Sequence, residues 1–467
     1  MAVLESRIRH GNMHLNRILL NYASTSGELD LKKNIDTAEI AAMVEKDRVH
    51  KRVYTDPLIF DLEMERVWGK AWIFIGHESQ VPRAGDYFAT TIGVQPVVMT
   101  RHKDGEIHVL FNRCAHKGAQ LVGDTYGHAP QIRCIYHGYV FDTDGTLLHI
   151  PKEEGYKNSD FCKGNSQSNV RKVPRVEIYR GFVFASLSPK GEGLVSWMGP
   201  AISTFDNAVD RSPVGEIEIT SGCVRYLHDA NWKVLLENVS DNMHPTVTHQ
   251  SAYQPAKQIA KNYTKEDKPL ALAILEPFGE SYEFFDKIRM TTCGNGHSYA
   301  GGSVSIHAGP PKESQYTKDM QAVHGEDKTN EILAQNRQNT VIYPSIAFKS
   351  SLQIIRIYRP ISVNQTIQEA WTYKLKGAPD EMHENSVLFS QLIFSPSSIA
   401  GQDDYEAYHR VQGGLESQAA DWVSQHRLYD SEEEIENDDG SRSAPGSSDI
   451  VFRHEFEAWK NYMTNPD

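Results

Sequence analysis

The sequence predicts an α+β protein in which a small all-β domain precedes a larger domain built around a central antiparallel sheet. Between Trp72 and Leu187, short runs rich in β-branched and aromatic residues are separated by turn pairs such as Asp104-Gly105. After Pro189, longer strand-like segments alternate with helical ones, as in an α+β domain. The length of 467 residues and the hydrophobic fraction of 39% allow more than one packed core.

The chain divides into three parts where this pattern changes. Residues 1–55 mix charge with sparse apolar positions and are expected to form an N-terminal helical arm. A helix start at Asp56-Pro57 opens the β-rich domain, expected over 56–190, because aspartate caps helices and proline suits the first helical position. The second domain is expected over 191–467.

Two segments near the C-terminus have contrasting compositions. Residues 431–449 are acidic and rich in Ser and Gly, so we expect a mobile surface loop there. The last segment has an apolar stripe that predicts a helix docked on the core. The stripe consists of Phe452, Phe456, Trp459 and Met463.

The composition argues against several classes of protein. A net charge of −13 disfavours a surface that follows phosphates, so nucleic acid is not expected as a partner. No apolar run is long enough to cross a membrane, and the first residues lack the apolar run of a secretory signal. We therefore expect a cytoplasmic protein without a membrane partner. Five cysteines are too few, and odd in number, for a disulfide framework.

Two short segments of the β-rich domain each combine a cysteine with a histidine. They contain Cys114-x-His116 and, after 17 intervening residues, Cys134-x-x-His137. Such spacing favours a metal site. Structural zinc usually pairs Cys with Cys and His with His, whereas each turn here offers one of each. Mixed turns are better suited to a [2Fe-2S] Rieske centre, with two thiolates on one iron and two imidazoles on the other.

A second cluster of candidate ligands follows a helix that Asn231 is expected to cap. His244 and His249 are five positions apart, which on a regular helix would point their rings about 140° apart. Pro245 disfavours the α conformation of the residue before it, so we expect the helix to break near His244 and re-aim His249. Two imidazoles with one carboxylate are the ligands of iron(II) in non-haem oxygenases.

The carboxylate has two candidate locations. Asp403 and Asp404 stand at the start of a predicted helix in the segment SPSSIAGQDDYEAY. Asp241 is the alternative, but it precedes His244 by three residues and is better placed to orient a ligand imidazole through its second nitrogen.

The two clusters, in this order, resemble the oxygenase α subunit of the ring-hydroxylating Rieske non-haem iron oxygenases over residues 55–463. The resemblance implies that Cys114 and Cys134 hold one cluster iron and that His116 and His137 hold the other. It also implies one mononuclear Fe(II), held by His244, His249 and Asp404.

The choice of Asp404 over Asp403 also follows from the resemblance. The family loop runs from Phe, Gly and Pro to a double aspartate, of which the second ligates iron. The segment from Phe394 to Asp404 has that length, with serine at most of the glycine positions.

The resemblance further implies an activity and partners. The family dihydroxylates aromatic rings with O2 and electrons from NAD(P)H. No GxGxxG motif occurs here, so a separate reductase is expected, acting directly or through a ferredoxin. A head-to-tail homotrimer is implied, with a small β subunit (α3β3), in which Asp241 bridges His244 to His137 of a neighbouring subunit.

The substrate is the least determined feature. The pattern EN-x-x-D-x-x-H-x4-H and the segment 294–298 are most similar to the terephthalate and anthranilate dioxygenase branch, so we expect an aromatic carboxylate. Monooxygenation or demethylation, or dioxygenation of a neutral hydrophobic ring compound, remain alternatives. A Rieske electron carrier with a non-catalytic binding domain is a more distant one.

Arg356 is a candidate anchor for such a carboxylate. The segment LQIIRIYRP is typical of a strand, on which Arg356 shares a face with Ile354 and Tyr358, while Arg359 lies on the other face. An arginine among apolar neighbours is costly to bury unless it meets an anion. A structural salt bridge is the alternative.

Overall fold

The computed structural model describes residues 35–220, 222–265, 267–302, 304–307, 309–310 and 312–465. The first 34 residues, which make up most of the predicted arm, lie outside the described part. No helix among the described residues is long and apolar enough to cross a membrane.

Strands of two to eleven residues occur throughout the described chain. In chain order they are β1 Arg48–His50, β2 Ile73–His77, β3 Asp86–Ile92, β4 Gln95–Arg101, β5 Ile107–Phe111, β6 Tyr126–His128, β7 Gln131–Arg133, β8 Val140–Asp142, β9 Leu147–His149, β10 Arg175–Tyr179, β11 Phe182–Ser186, β12 Ile217–Ile219, β13 Val224–His228, β14 Met290–Thr292, β15 Ser298–Gly302, β16 Asn336–Ile342, β17 Ile346–Lys349, β18 Ile354–Ser362, β19 Gln365–Leu375, β20 Trp422–Ser424, β21 Ile435–Glu436 and β22 Arg442–Ala444.

The helices are concentrated in the second half of the chain. They are α1 Thr37–Ala42, α2 Arg52–Thr55, α3 Pro57–Arg66, α4 Leu194–Met198, α5 Ser203–Asp210, α6 Trp232–Ser240, α7 Pro245–Thr248, α8 Gln250–Ala260, α9 Leu270–Leu275, α10 Tyr282–Lys287, α11 Gln315–His324, α12 Glu326–Ala334, α13 Asp380–Phe394, α14 Gly401–Leu415 and α15 Ile450–Thr464.

The strands form small sheets in the first half and one large sheet in the second. The β-rich part contains the sheets β10-β11-β2, β5-β4-β3-β6 and β7-β8-β9. The large sheet follows the path β12-β19-β18-β17-β16-β15-β14-β22-β21, and β13 also pairs with β19. The neighbouring strands of the large sheet pair antiparallel, so the predicted α+β class with a central antiparallel sheet is confirmed.

The predicted helix starts are confirmed at two places. The Asp56 side chain accepts a hydrogen bond from the Leu58 amide (2.9 Å) at the start of α3. The Asn231 side chain accepts one from the Lys233 amide (3.1 Å) at the start of α6. Both caps satisfy amides that have no partner inside the helix. Because α6 leads to His244, its start fixes the position of the second cluster.

Two predictions for irregular segments were wrong in part. Within the arm, residues 48–50 form strand β1, which pairs with β20 near residue 423. Within 431–449, residues 442–444 form β22, which pairs with β14, and the segment that follows is buried. In both places the backbone hydrogen-bonds to a strand distant in sequence, and that partner outweighs the polar local composition.

One buried glutamate joins the β-rich part to the second domain. Glu63 on α3 accepts hydrogen bonds from Lys233 Nζ (2.6 Å) and Trp232 Nε1 (2.9 Å) on α6, and from Trp459 Nε1 (2.7 Å) on α15. Its carboxylate is fully buried. Around it a single apolar core contains side chains of both parts, so the C-terminal helix docks as predicted.

Candidate active site

Two loops of the β-rich part share one backbone hydrogen-bond pattern. In the first, between β5 and β6, the Gly118 amide donates to the Cys114 carbonyl (3.0 Å) and the Cys114 amide donates to the Ala119 carbonyl (2.8 Å). The second loop, between β7 and β8, repeats both bonds around Cys134 at the same distances, 3.0 and 2.8 Å. The loops therefore present the two cysteines in equivalent settings.

A glycine with positive φ ends each loop. The φ values are +76° at Gly118 and +77° at Gly138, a region that L side chains rarely adopt. A Cβ at Gly118 would lie 3.1 Å from the guanidinium of Arg113, and one at Gly138 would lie 3.4 Å from that of Arg133. Each arginine directly precedes the cysteine of its loop, so the two loops match in shape and in flanking residues.

The side chains of these loops suit metal ligands. Cys114 and Cys134 are buried, and burial raises the pKa of the Cys114 thiol. Nδ1 of His116 is buried without a hydrogen-bond partner in the described part of the chain. The ring centroids of His116 and His137 are 4.8 Å apart. An unpartnered ring nitrogen and buried thiols fit the ligand set of an iron–sulfur cluster.

The spacing of these four side chains fits two irons better than one ion. Among the described residues, no three of their ligand atoms form a group within 4.8 Å of one another. A single tetrahedral zinc would need all four atoms around one point. The absence of such a group therefore agrees with a cluster that separates the thiolates from the imidazoles.

The helix before the second cluster breaks earlier than predicted. Helix α6 ends at Ser240, and Asp241 is extended (φ −92°, ψ 124°). The break predicted near His244 is therefore present, three residues before it. His244 itself, just before Pro245, has α-helical dihedrals (φ −64°, ψ −33°), so the effect of Pro245 on the preceding residue is not its cause. The Asp241 carboxylate accepts a hydrogen bond from the Met243 amide (2.7 Å), which competes with the helical pattern. The break still re-aims His249, as expected.

The two histidines meet one carboxylate oxygen. Oδ1 of Asp404, in the first turn of α14, lies 3.6 Å from Nε2 of His244 and 3.5 Å from Nε2 of His249. The three ligand atoms lie within 4.8 Å of one another. We call these residues the His-His-Asp group. Its side chains are all at least four-fifths buried, a setting that fits a metal with two neutral imidazoles and one carboxylate.

The outer nitrogen of each histidine faces a second carboxylate. Nδ1 of His244 lies 3.5 Å from Oδ2 of Asp241, and Nδ1 of His249 lies 3.7 Å from Oδ2 of Asp403. Asp403 also accepts a hydrogen bond from the Ser251 hydroxyl (2.9 Å). Asp403 and Asp241 therefore stand where carboxylates orient ligand imidazoles, and Asp404 alone faces both inner nitrogens.

A small cavity of about 80 Å³ lies beside the His-His-Asp group. This volume is below the usual range for small-molecule sites. Arg356 lines it from β18, as the strand pattern predicted, whereas Arg359 on the other face pairs with Glu369 (3.2 Å). The apolar wall consists of Phe278, Ile306, Ile354, Phe389, Ile393 and Phe394.

Sequence reasoning missed Lys349 and His307, which also line this cavity. Lys349 Nζ donates a hydrogen bond to Nδ1 of His307 (3.2 Å), whose Nε2 lies 3.3 Å from the Ile274 carbonyl. Burial, with the charge of Lys349, lowers the pKa of His307 well below its usual range, so this ring is neutral. The one available signal was a lysine that ends the apolar run of β17.

Comparison with known proteins agrees with both sites. Residues 71–173 match the Rieske [2Fe-2S] domain family, and residues 218–437 match the ring-hydroxylating α subunit (catalytic domain) family. The α subunit of toluate 1,2-dioxygenase from Pseudomonas putida is 31% identical over 388 residues, which cover 80% of this chain and 82% of that protein. This chain belongs to the α subunits of the Rieske ring-hydroxylating oxygenases.

Other members of the family are similar over most of their length. The large subunit of anthranilate 1,2-dioxygenase from Acinetobacter baylyi is 30% identical over 387 residues, covering 82% of this chain and 80% of that one. A solved naphthalene 1,2-dioxygenase variant bound to phenanthrene has a TM-score of 0.77 at 19% identity, over 91% of this chain and 94% of that chain. That likeness shows the fold.

As an α subunit of this family, the protein is an aromatic ring-hydroxylating dioxygenase with a Rieske [2Fe-2S] cluster and a mononuclear iron. The iron supplies the oxygen chemistry, and the cluster supplies electrons to it. What the chain contributes around the iron is a cavity lined by a mixture of apolar, polar and charged side chains.

Proposed function

We propose that this α subunit dihydroxylates an aromatic carboxylate whose acid group binds Arg356. The observation that carries the proposal is that Arg356 lines the cavity of the His-His-Asp group and, in the described part of the chain, has no carboxylate partner. It donates a hydrogen bond to Oδ1 of Asn339 (2.9 Å), and its guanidinium lies over the ring of Phe394 (5.2 Å). The remaining guanidinium donors suit a bidentate carboxylate.

The relatives alone do not select the substrate. They include dioxygenases of toluate and anthranilate, which are acids, and of benzene and biphenyl, which are neutral. A neutral ring would offer no acceptor to the guanidinium donors of Arg356 that Asn339 does not use. The position of this arginine therefore favours an acid.

We assign the metal ligands as follows. Nε2 of His244, Nε2 of His249 and Asp404 hold the iron, while Asp241 and Asp403 orient the two imidazoles. The convergence of the three atoms and the outer carboxylates support this assignment. The Rieske cluster is assigned to Cys114, Cys134, His116 and His137.

The assembly we propose is a head-to-tail α homotrimer with a small β subunit. Electrons would come from a separate NAD(P)H reductase, directly or through a ferredoxin, and pass from His137 of the partner subunit through Asp241 to His244. Two observations support this route. His137 is at the surface beside Ile135 and Tyr136, whose exposed fractions are 88% and 66%. Asp241 lines both the iron cavity and a second cavity behind it.

The proposal is tested with the reconstituted enzyme, its reductase and labelled dioxygen. We expect an aromatic acid to be converted to a product that contains two labelled oxygen atoms. Arg356→Leu should raise the KM for that acid at least about tenfold more than the KM for its neutral amide, because a charged hydrogen bond is lost. The exposed Arg410→Leu serves as the control. Equal effects on acid and amide would contradict the proposal.

A further inference from the structure

The two loops that carry the cysteines match in backbone and differ at one side chain. The Cys114 amide donates a hydrogen bond to the Ala119 carbonyl (2.8 Å). The Cys134 amide donates in the same way to the Tyr139 carbonyl (2.8 Å). Ala119 and Tyr139 are therefore at equivalent positions of the two loops. An alanine side chain offers only a methyl group, whereas a tyrosine offers an aromatic face and a hydroxyl.

Tyr139 covers one of the two histidines. Its ring stacks on the imidazole of His116, with the ring centroids 4.4 Å apart and the ring planes 26° apart. Tyr139 is buried, and the hydroxyls of Tyr139 and Tyr156 are hydrogen-bonded to each other. The Tyr156 hydroxyl in turn lies 3.4 Å from Nε2 of His116. His137, by contrast, is exposed. The two histidines therefore differ in surroundings although their loops match.

The two ring nitrogens of His116 have different partners. Nδ1 is buried and has no hydrogen-bond partner in the described part of the chain, as a nitrogen that binds a metal requires. A neutral imidazole that binds a metal through one nitrogen carries its proton on the other. Nε2 of His116 is therefore the donor, and the oxygen of Tyr156 accepts. Ligand histidines usually donate this N–H to a carboxylate, a carbonyl or water, so a pair of tyrosine hydroxyls is a distinct arrangement.

We infer that the Tyr156 hydroxyl, held in place by Tyr139, accepts a hydrogen bond from His116 and lowers the reduction potential of the Rieske cluster. An acceptor oxygen stabilises a ligand imidazole more when the iron is oxidised, because the N–H is then more strongly polarised. Hydrogen bonds around such clusters are among the factors that set their potentials. A lower potential favours release of the electron towards the mononuclear iron. The inference rests on the proposed assignment of His116 as a cluster ligand.

Spectroelectrochemical titration of the purified holoenzyme at a fixed pH tests this inference. Tyr156→Phe keeps the ring and removes the hydroxyl. We expect the reduced cluster to become about tenfold more favoured, the usual effect of one hydrogen bond, which raises a one-electron potential by about 59 mV. Tyr139→Phe should raise the potential by less, because the Tyr156 hydroxyl remains but loses the partner that fixes it. Tyr179→Phe, which loses a hydrogen bond to Asp206 (2.7 Å) beside a different sheet, should leave the potential unchanged.

An unchanged or lower potential in a cluster-loaded Tyr156→Phe would overturn the inference. If that variant does not assemble the cluster, Tyr139→Phe decides, and an unchanged or lower potential there overturns the inference as well. Either result would leave the proposed ligands and the proposed function intact. A separate variant tests the assignment on which the inference rests. His116→Ala should lose the visible absorption of the Rieske cluster, and a variant that retained it would refute the assignment of His116 as a ligand together with this inference.

Discussion

Nδ1 of His244 lies 3.5 Å from Oδ2 of Asp241, while Nε2 of the same ring lies 3.6 Å from Oδ1 of Asp404. The two nitrogens of one imidazole thus face two different carboxylates. Since a ligand imidazole is oriented by the partner of its other nitrogen, we propose separate tasks for the two aspartates. Substitutions can separate these tasks.

Asp241→Asn should leave both metal sites loaded and slow oxidation of the pre-reduced Rieske cluster roughly 10- to 100-fold, because the amide keeps the shape of the side chain without its charge. Stopped-flow absorbance of the cluster measures the rate, and iron analysis measures the loading. Asp229→Asn, at an exposed position just before α6, is the control, and its Rieske cluster should be oxidised at the wild-type rate. Loss of the mononuclear iron in Asp241→Asn would instead indicate that Asp241 is an iron ligand.

Replacement of His244 or His249 by alanine should abolish turnover and retain the visible absorption of the Rieske cluster. The reason is that the cysteine and histidine loops belong to two small sheets, whereas the iron site lies beside the large one. Iron content should fall from three to two per chain. His409→Ala, exposed on α14, should remain active. Loss of cluster absorption in either variant would count against the assignment.

The two adjacent aspartates should behave differently. Asp404→Asn is expected to lose the mononuclear iron, since Asp404 faces both inner nitrogens. Asp403→Asn should keep a mononuclear site with affinity for iron weakened about tenfold, because it affects only the orientation of His249. Iron titration of the metal-depleted proteins distinguishes the two. If Asp403→Asn lost the iron and Asp404→Asn retained it, Asp403 would be the ligand and Asp404 the orienting residue.

Glu63→Gln should reduce the free energy of unfolding by about 3–5 kcal/mol, because it leaves the buried ammonium of Lys233 without a negative partner. Chemical denaturation followed by tryptophan fluorescence measures the loss. Glu65→Gln, exposed on the same helix, should change stability by less than about 0.5 kcal/mol. Equal stabilities for the two variants would show that the ion pair contributes nothing.

The features that could be predicted from sequence are those decided over a few residues. The Cys-x-His and Cys-x-x-His spacings each lie within one loop, and the caps at Asp56 and Asn231 act on amides two residues away. Their geometry is local, so the spacing is enough to identify them.

Features that depend on distant partners could not be predicted. Strand β1 needs residues 422–424, and β22 needs β14, so neither shows in its own composition. The position of Lys349 beside Arg356 depends on the register of β17 against β18, which cannot be read from the sequence of either strand. The helix break near His244 was predicted, but its cause was not. Helix α6 ends at Ser240, the Asp241 carboxylate accepts a hydrogen bond from the Met243 amide, and His244 keeps α-helical dihedrals despite Pro245.

The buried contacts of Glu63 limit how this protein can be recombined. Its three partners all belong to helices beyond residue 190, so the sequence boundary between the two domains is not a boundary of the core. A chimaera that exchanges residues 56–190 with those of a relative keeps a stable core when the exchanged part carries an acid at this position. Domain shuffling in such a chain must therefore preserve pairs of residues far apart in sequence, and N-terminal exchanges have to be matched to the C-terminal helix.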